Sequence, residues 1–283
     1  MYRMEDIEIR AIRGLSLEVN EGELVSIMGS SGAGKTTLLN ILGGLDQPTS
    51  GQIWVDEVEI TGLSWEKLIP YRRRVVGHIF QSLNLLPTLS TAENIALPMI
   101  LDGVSKNERR NRVNELLEIV QLTHRSTHRP SELSGGEQQR VAIAAALAND
   151  PPIILADEPT GELDSETSKV IMDFLVHINQ EYKKTIILVT HNPLVSAVTQ
   201  RILRIEDGRI TGSYLPSDLG SAIPISFIDR LRERIKQFDE LLASLDERFK
   251  SQELSGDEYT MERIKIIAAK QAFLDEMHRY GTG

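Results

Sequence analysis

Eight consecutive residues, Gly29-Ser30-Ser31-Gly32-Ala33-Gly34-Lys35-Thr36, limit the fold of this chain more than any other stretch. They follow Leu24 to Met28, a short apolar run that reads as a strand, and lead into Thr37-Leu38-Leu39-Asn40-Ile41-Leu42, which reads as a helix. The pattern G-x-x-x-x-G-K-[ST] therefore stands between strand and helix, the setting in which it has a physical meaning. Glycines let the backbone curl with its N–H groups pointing inward, and the N-terminus of the following helix adds partial positive charge, so the loop is a phosphate cradle. In such a cradle Lys35 reaches the β- and γ-phosphates and the Thr36 hydroxyl ligates magnesium. Ser30, Ser31, Ala33 and Thr37 complete the candidate nucleotide-binding set, and ATP with Mg2+ are the expected cofactors.

With 283 residues the chain has room for one large domain or two modest ones. Its 41% hydrophobic and 25% charged residues are ordinary for a globular protein and exclude disorder throughout. The formal charge of -10 is opposite in sign to what wrapping a duplex demands, so no nucleic-acid partner is expected. Neither a run of about 18 to 20 apolar residues nor a secretion-type apolar core behind Met1 is present, and a cytosolic chain is expected. The absence of Cys rules out disulfides, zinc-thiolate sites and a cysteine nucleophile.

Up to about residue 212, β-branched runs alternate with helix-like stretches, the rhythm of an α/β domain with parallel strands. Strand candidates are Leu24 to Met28, Ile53 to Val55, Ile153 to Ala156 and Thr185 to Val189, and the unalternating run from Ile153 suits a strand covered on both faces. Ser105 with Glu108 has the spacing of a capping box, ahead of a helix that carries Val113, Leu116, Leu117 and Val120 on one face. Residues 1–212 are expected to be one domain, 213–224 a Gly/Pro/Ser linker, and 225–283 a helical hairpin. Leu231, Ile235, Phe238, Leu242, Leu245 and Phe249 recur three and four apart, a coiled-coil seam. Met261, Ile264, Ile267, Leu274 and Met277 supply the opposing helix, capped by Ser255 and Glu258, with a turn near Gly256. An a/d stripe of this kind is more often plain packing or dimer support than a recognition surface.

Two further motifs carry chemistry. The strand from Ile153 ends in Asp157-Glu158, which puts two carboxylates at the carboxyl edge of a parallel sheet. Asp157 suits the magnesium shell, and Glu158 is the candidate to orient and polarise an attacking water. Leu133-Ser134-Gly135-Gly136-Glu137 opens the helix-like run Val141 to Ala148, so Ser134, Gly135 and Gly136 would offer a second anion site at a helix N-terminus. One nucleotide already has its cradle. A second phosphate-seeking surface implies two copies meeting head to tail, each closing over the other's ATP.

Taken with Gln81 in Ile-Phe-Gln, Gly161-Glu162-Leu163-Asp164, and His191 in Leu-Val-Thr-His, these motifs resemble the ATP-binding cassette family over residues 2 to about 212. The resemblance implies a P-loop NTPase cassette: a RecA-like core with an antiparallel β subdomain and an α-helical subdomain. It implies that Gln81 couples to a membrane partner and serves both magnesium and γ-phosphate sensing, that the Gly161 segment communicates across a homodimer, and that His191 contacts the γ-phosphate. Ile27 to Gly32, Leu39 to Gly51 and Leu85 to Asn94 resemble the macrolide-exporter and lipoprotein-release (MacB/LolD-like) subgroup. That subgroup implies an ATPase peripheral to the inner face of the cell membrane, driving a separate integral permease of MacB/FtsX-like type. The work done is export, lipoprotein release or mechanotransmission, including control of a cell-wall enzyme with no cargo. A soluble cassette acting on DNA or ribosomes fits less well, because the interval from phosphate loop to signature is short and one cassette is present. Three departures stand out: Tyr2 has the spacing of the adenine-stacking aromatic but lacks the strand before it, Ala145 stands where the family usually has arginine, and Glu162 puts a carboxylate near the dimer seam. His124 and His128 are expected on a solvated loop, not on a metal.

Overall fold

The computed structural model describes residues 2–4, 7–161, 163–218 and 256–281, together with 236, 238, 239, 241–246, 248, 249 and 251. It divides into two compact units, Met1–Pro216 and Ser217–Gly283. The first unit opens with a small antiparallel ribbon, β1 (Tyr2–Met4) and β2 (Ile7–Ile9), followed by β3 (Leu24–Met28). After the helix Lys35–Leu42 comes a second small hairpin, β4 (Trp54–Val55) with β5 (Val58–Glu59). Then follow β6 (Val76–Ile79), β7 (Ile153–Asp157), β8 (Thr185–Thr190), β9 (Arg201–Glu206) and β10 (Arg209–Tyr214).

Six of these strands form the central sheet in the order β10-β9-β3-β8-β7-β6, parallel throughout except for the β9–β10 pair. Both faces are covered, as the apolar runs require. On one face Ile154, Ala156, Ile186 and Leu188 meet Val141, Leu175 and Ile178; on the other, Leu155, Ile187 and Val189 meet Leu38 and Leu39. Successive residues of a strand alternate between the two cores, so β8 is buried along its whole length. Each fully buried Leu or Ile contributes about 1.5–3 kcal/mol.

Capping sets the helix starts. Ser105 accepts from the Glu108 amide while the Glu108 carboxylate accepts from the Ser105 amide, and the helix Lys106–Ile119 buries Val113, Leu116 and Leu117. The same reciprocal box opens Thr91–Leu101 at Ser90 and Glu93, and Gly135–Ala146 at Ser134 and Glu137.

The sequence reading departs from the structure in places. The strand expected over Ile53 to Val55 contracts to Trp54–Val55, because Ile53 N–H turns to the Thr61 hydroxyl. Ser213 and Tyr214, expected in the linker, pair with Leu203 and Ile202 in β10. In the second unit, helix Gly256–Gly281 runs antiparallel to the helical positions before it: Asp239 pairs with Lys270, Asp246 with Tyr259 (2.7 Å) and Arg263 (3.7 Å), and Phe249 stacks on Tyr259. Leu245 is buried there; of the seam expected on the second helix Leu274 is half-buried, whereas Met261, Ile264 and Ile267 are 64%, 62% and 46% exposed. Ile266, outside that seam, is half-buried as well. Leu231, Ile235, residues 219–224, the Ser255 cap and the side chain of Met277 lie outside the described residues.

One buried titratable group comes from β6. His78 stacks on Phe80 at 5.0 Å, and a Cβ at Gly43 would overlap its ring. Burial lowers its pKa from 6.5 to about 4. Because the unfolded chain takes up this proton first, stability is full above the unfolded value and falls as pH drops from 6.5 towards 4. We expect His78 to contribute a loss of about 2–3 kcal/mol across that window in urea titrations, and that contribution to be missing from the profile of His78→Phe, which keeps the stack.

Candidate active site

Parallel register assembles the site. Met28 pairs with Thr190 and Asp157 with Val189, so β3, β7 and β8 end side by side and their next residues, Gly29, Glu158 and His191, leave one sheet edge. The loop from Gly29 depends on glycine at particular points. Gly32 and Gly34 have φ of 80° and 98°, and a Cβ at Gly34 would run into the Ala11 carbonyl. Ala33 is buried and its carbonyl accepts from Gly208 N–H at 3.1 Å, which ties the loop to the β9–β10 turn. Ser30, Ser31 and Thr36 are exposed and Thr37 is half-buried.

Lys35 is only 8% exposed and folds back over the loop, donating to the Gly29 carbonyl at 2.8 Å and the Ser30 carbonyl at 3.0 Å. A phosphate arriving in the cradle offers this ammonium stronger, charged acceptors in place of two neutral carbonyls. Thr36 Oγ1 donates to Asp157 Oδ1 at 3.2 Å. Burial raises the Asp157 pKa, with the neighbouring Glu158 charge adding to the rise and the Thr36 hydrogen bond opposing it. Glu158 has φ of 46°, a left-handed conformation unusual for a side-chain-bearing residue, and its amide donates to the Val189 carbonyl at 3.1 Å. That turn aims its carboxylate at His191, whose Nδ1 lies 2.9 Å from Glu158 Oε1. Gln81 is exposed, and its amide nitrogen stands beside Gly161, in the turn that Glu158 begins.

The structure thus brings together Gly29 to Thr37, Gln81, Asp157, Glu158 and His191. Ser134, Gly135, Gly136 and Glu137 sit elsewhere, against the start of helix Ser165–Tyr182: Gly135 lies near Leu163, and a Cβ on Gly136 would overlap Thr167. Of the expected signature amides, that of Ser134 is already taken, donating to Glu137 Oε2 at 2.8 Å. The Gly135 and Gly136 amides have no such intrachain partner among the described residues. Tyr2 belongs to β1, while its side chain and Glu162 lie outside the described residues; Ala145 is half-buried in the helix Gly135–Ala146. His128 is not simply solvated, since its Nε2 meets Arg125 at 3.1 Å and its carbonyl accepts from Thr91. Arg125 also donates to Glu137 Oε1 at 3.0 Å, a contact with the signature that no motif marks.

The family model described as "ABC transporter" matches residues 12–161. An uncharacterized ABC transporter ATP-binding protein of Thermotoga maritima is 50% identical over 212 residues, covering 75% of this chain and 90% of its own. The lipoprotein-releasing system ATP-binding protein LolD of Syntrophus aciditrophicus is 45% identical over 202 residues, 71% of this chain and 91% of its own. The macrolide export ATP-binding/permease protein MacB of Syntrophobacter fumaroxidans is 46% identical over 211 residues, 74% of this chain but 30% of that longer protein. The dimeric post-hydrolysis structure of the ATP-binding cassette MJ0796 of Methanocaldococcus jannaschii, bound to ADP and Pi, superimposes with a TM-score of 0.71 at 44% identity, covering 76% of this chain and 94% of that one. The chain belongs to the ABC transporter family. Within it, the chain is an ATPase cassette of the MacB/LolD-like subgroup.

The raised Asp157 pKa has a measurable consequence. A carboxylate whose folded pKa lies above its unfolded value stabilises below the unfolded value and loses that contribution as pH rises through the folded one, so at neutral pH its charge is a burden. Asp157→Asn, which can still accept from Thr36, is expected to raise the Tm of the nucleotide-free protein at pH 7 by about 1–3 °C in calorimetry. The same change is expected to lower ATPase turnover at least about 100-fold.

Proposed function

We propose that two copies of this chain close head to tail around two ATP, and that closure and hydrolysis drive a separate integral membrane permease of MacB/FtsX-like type. The observation that carries the reading is the Glu158–His191 contact beside the Thr36–Asp157 pair, on the sheet edge that also bears the phosphate loop. In this reading the cassette is peripheral to the inner face of the membrane; among the described residues no helix is long and apolar enough to cross one. The cassette extends through β10, and the helices of the second unit support the dimer.

The residues at the edge have distinct tasks. Lys35 exchanges its loop carbonyls for β- and γ-phosphate oxygens, and the amides of Gly29 to Thr37 surround the phosphates. Thr36 and Asp157 are two hard oxygen donors in contact, the donor type magnesium selects, and at Asp157 desolvation outweighs the nearby Lys35 charge and raises the carboxyl pKa. Magnesium, when bound there, supplies positive charge to the β- and γ-phosphate oxygens. Gln81 adds an amide oxygen to this shell. Glu158 polarises the attacking water, and His191 orients that carboxylate and reaches the γ-phosphate. Ser134, Gly135, Gly136 and Glu137 of one copy close over the triphosphate of the other.

Glu158→Gln tests this assignment. We expect ATP affinity within about threefold of the unsubstituted protein, turnover reduced about 100-fold or more, and an ATP-dependent dimer that survives gel filtration. Near-normal turnover would reject Glu158 as the group acting on water. Purification of this variant from native membranes with ATP is expected to retain an integral membrane protein.

A further inference from the structure

We propose that Arg125 is a positioning residue for the signature loop: its guanidinium neutralises Glu137, so that the helix N-terminus at Ser134 to Gly136 can receive the triphosphate of a second copy. The proposal rests on the head-to-tail reading above and gives it a charge requirement of its own.

A helix N-terminus attracts an anion with the equivalent of about half a positive charge. Here a full negative charge sits in the same first turn. Glu137 is the third residue of the helix Gly135–Ala146, and it accepts from the Ser134 amide, which removes one of the donors a phosphate could use. The Ser134 amide, then the Ser134 hydroxyl and Arg125, hold its carboxyl below the usual range, so it is ionised at neutral pH. An uncompensated carboxylate in that turn repels an incoming triphosphate at close range.

Arg125 is the compensation. Its Nε lies 3.0 Å from Glu137 Oε1, with the glutamate side chain 15% exposed and the arginine 36%. The guanidinium is also held from behind: NH1 meets His128 Nε2 at 3.1 Å, and the His128 carbonyl accepts from the Thr91 amide at 2.7 Å and the Thr91 hydroxyl at 3.0 Å. Thr91 is fully buried at the start of the helix Thr91–Leu101. Arg125 is therefore fixed to the body of the domain and reaches the signature through Glu137, the carboxylate in the first turn of the helix Gly135–Ala146.

The test is a double-mutant cycle in the Glu158→Gln protein, reading the Mg-ATP concentration that half-saturates dimer formation by light scattering. Arg125→Gln is expected to raise that concentration about tenfold when Glu137 is present and less than about twofold in the E137Q background. Raising NaCl from about 50 to about 500 mM is expected to narrow the Arg125 effect, because screening weakens the repulsion of Glu137 for phosphate. Arg125→Lys, which keeps the charge, is expected to stay within about threefold. An Arg125→Gln loss that is the same in both backgrounds, or that does not change with salt, overturns the proposal and leaves Arg125 a purely structural contact. If the Glu158→Gln protein fails to dimerise with ATP while Arg125 and Glu137 are intact, the head-to-tail reading itself falls, and the proposal with it.

Discussion

Three parallel strands ending in register are the constraint from which the active site follows. Because Met28 is level with Thr190, and Asp157 with Val189, the turns after β3, β7 and β8 open at one height. Side chains alternate faces along a strand, so a one-residue slip of β7 would move Ile154 and Ala156 out of one core and Leu155 out of the other. The same slip would carry Asp157 away from Thr36. Core packing and catalytic geometry are thus enforced by one register, and the burial that fixes it is far larger than any single polar contact at the edge.

That edge holds charges in uneasy positions. Lys35 is buried against two carbonyls, Asp157 has its pKa raised by burial, and Glu158 sits in a left-handed turn with an exposed imidazole as its partner. Each is a modest cost, of about 1–3 kcal/mol for strained or poorly solvated groups, borne by a well-packed sheet beneath. The first two are also relieved in the nucleotide-bound form proposed here, where phosphate oxygens meet Lys35 and a cation meets Asp157. Binding energy is gained where the free protein is least comfortable.

Local chemistry was legible in the sequence, while pairings made through space were not. The phosphate loop, Asp157-Glu158 and the Ser105 cap are each encoded within a few residues, and each stands on the element expected. β6 was missed because Val76-Gly77-His78-Ile79 carries a glycine and a histidine inside a four-residue strand; the glycine is there because a Cβ would strike the Ala146 carbonyl. In the second unit, a three-and-four spacing fits two adjacent stripes of one helix. Among the described side chains of the second helix Tyr259, Ile266 and Leu274 are half-buried, with Asp246 and Phe249 engaging Tyr259, while Met261 and Ile264 are exposed.

Three serine-glutamate capping boxes recur in the first unit, and comparing them separates structure from function. At Ser90–Glu93 and Ser105–Glu108 the carboxylate is a solvated partner to an amide, and its charge favours the helix N-terminus it caps. At Ser134–Glu137 the same box, with the same bonds, stands where a second anion has to arrive if two copies close on each other. The local stabilisation that serves the first two helices would then work against binding at the third. Of the three carboxylates, Glu137 is the one that an arginine side chain engages by a direct hydrogen bond. Helix capping alone needs no such partner, and the anion site proposed at this helix supplies a reason for one.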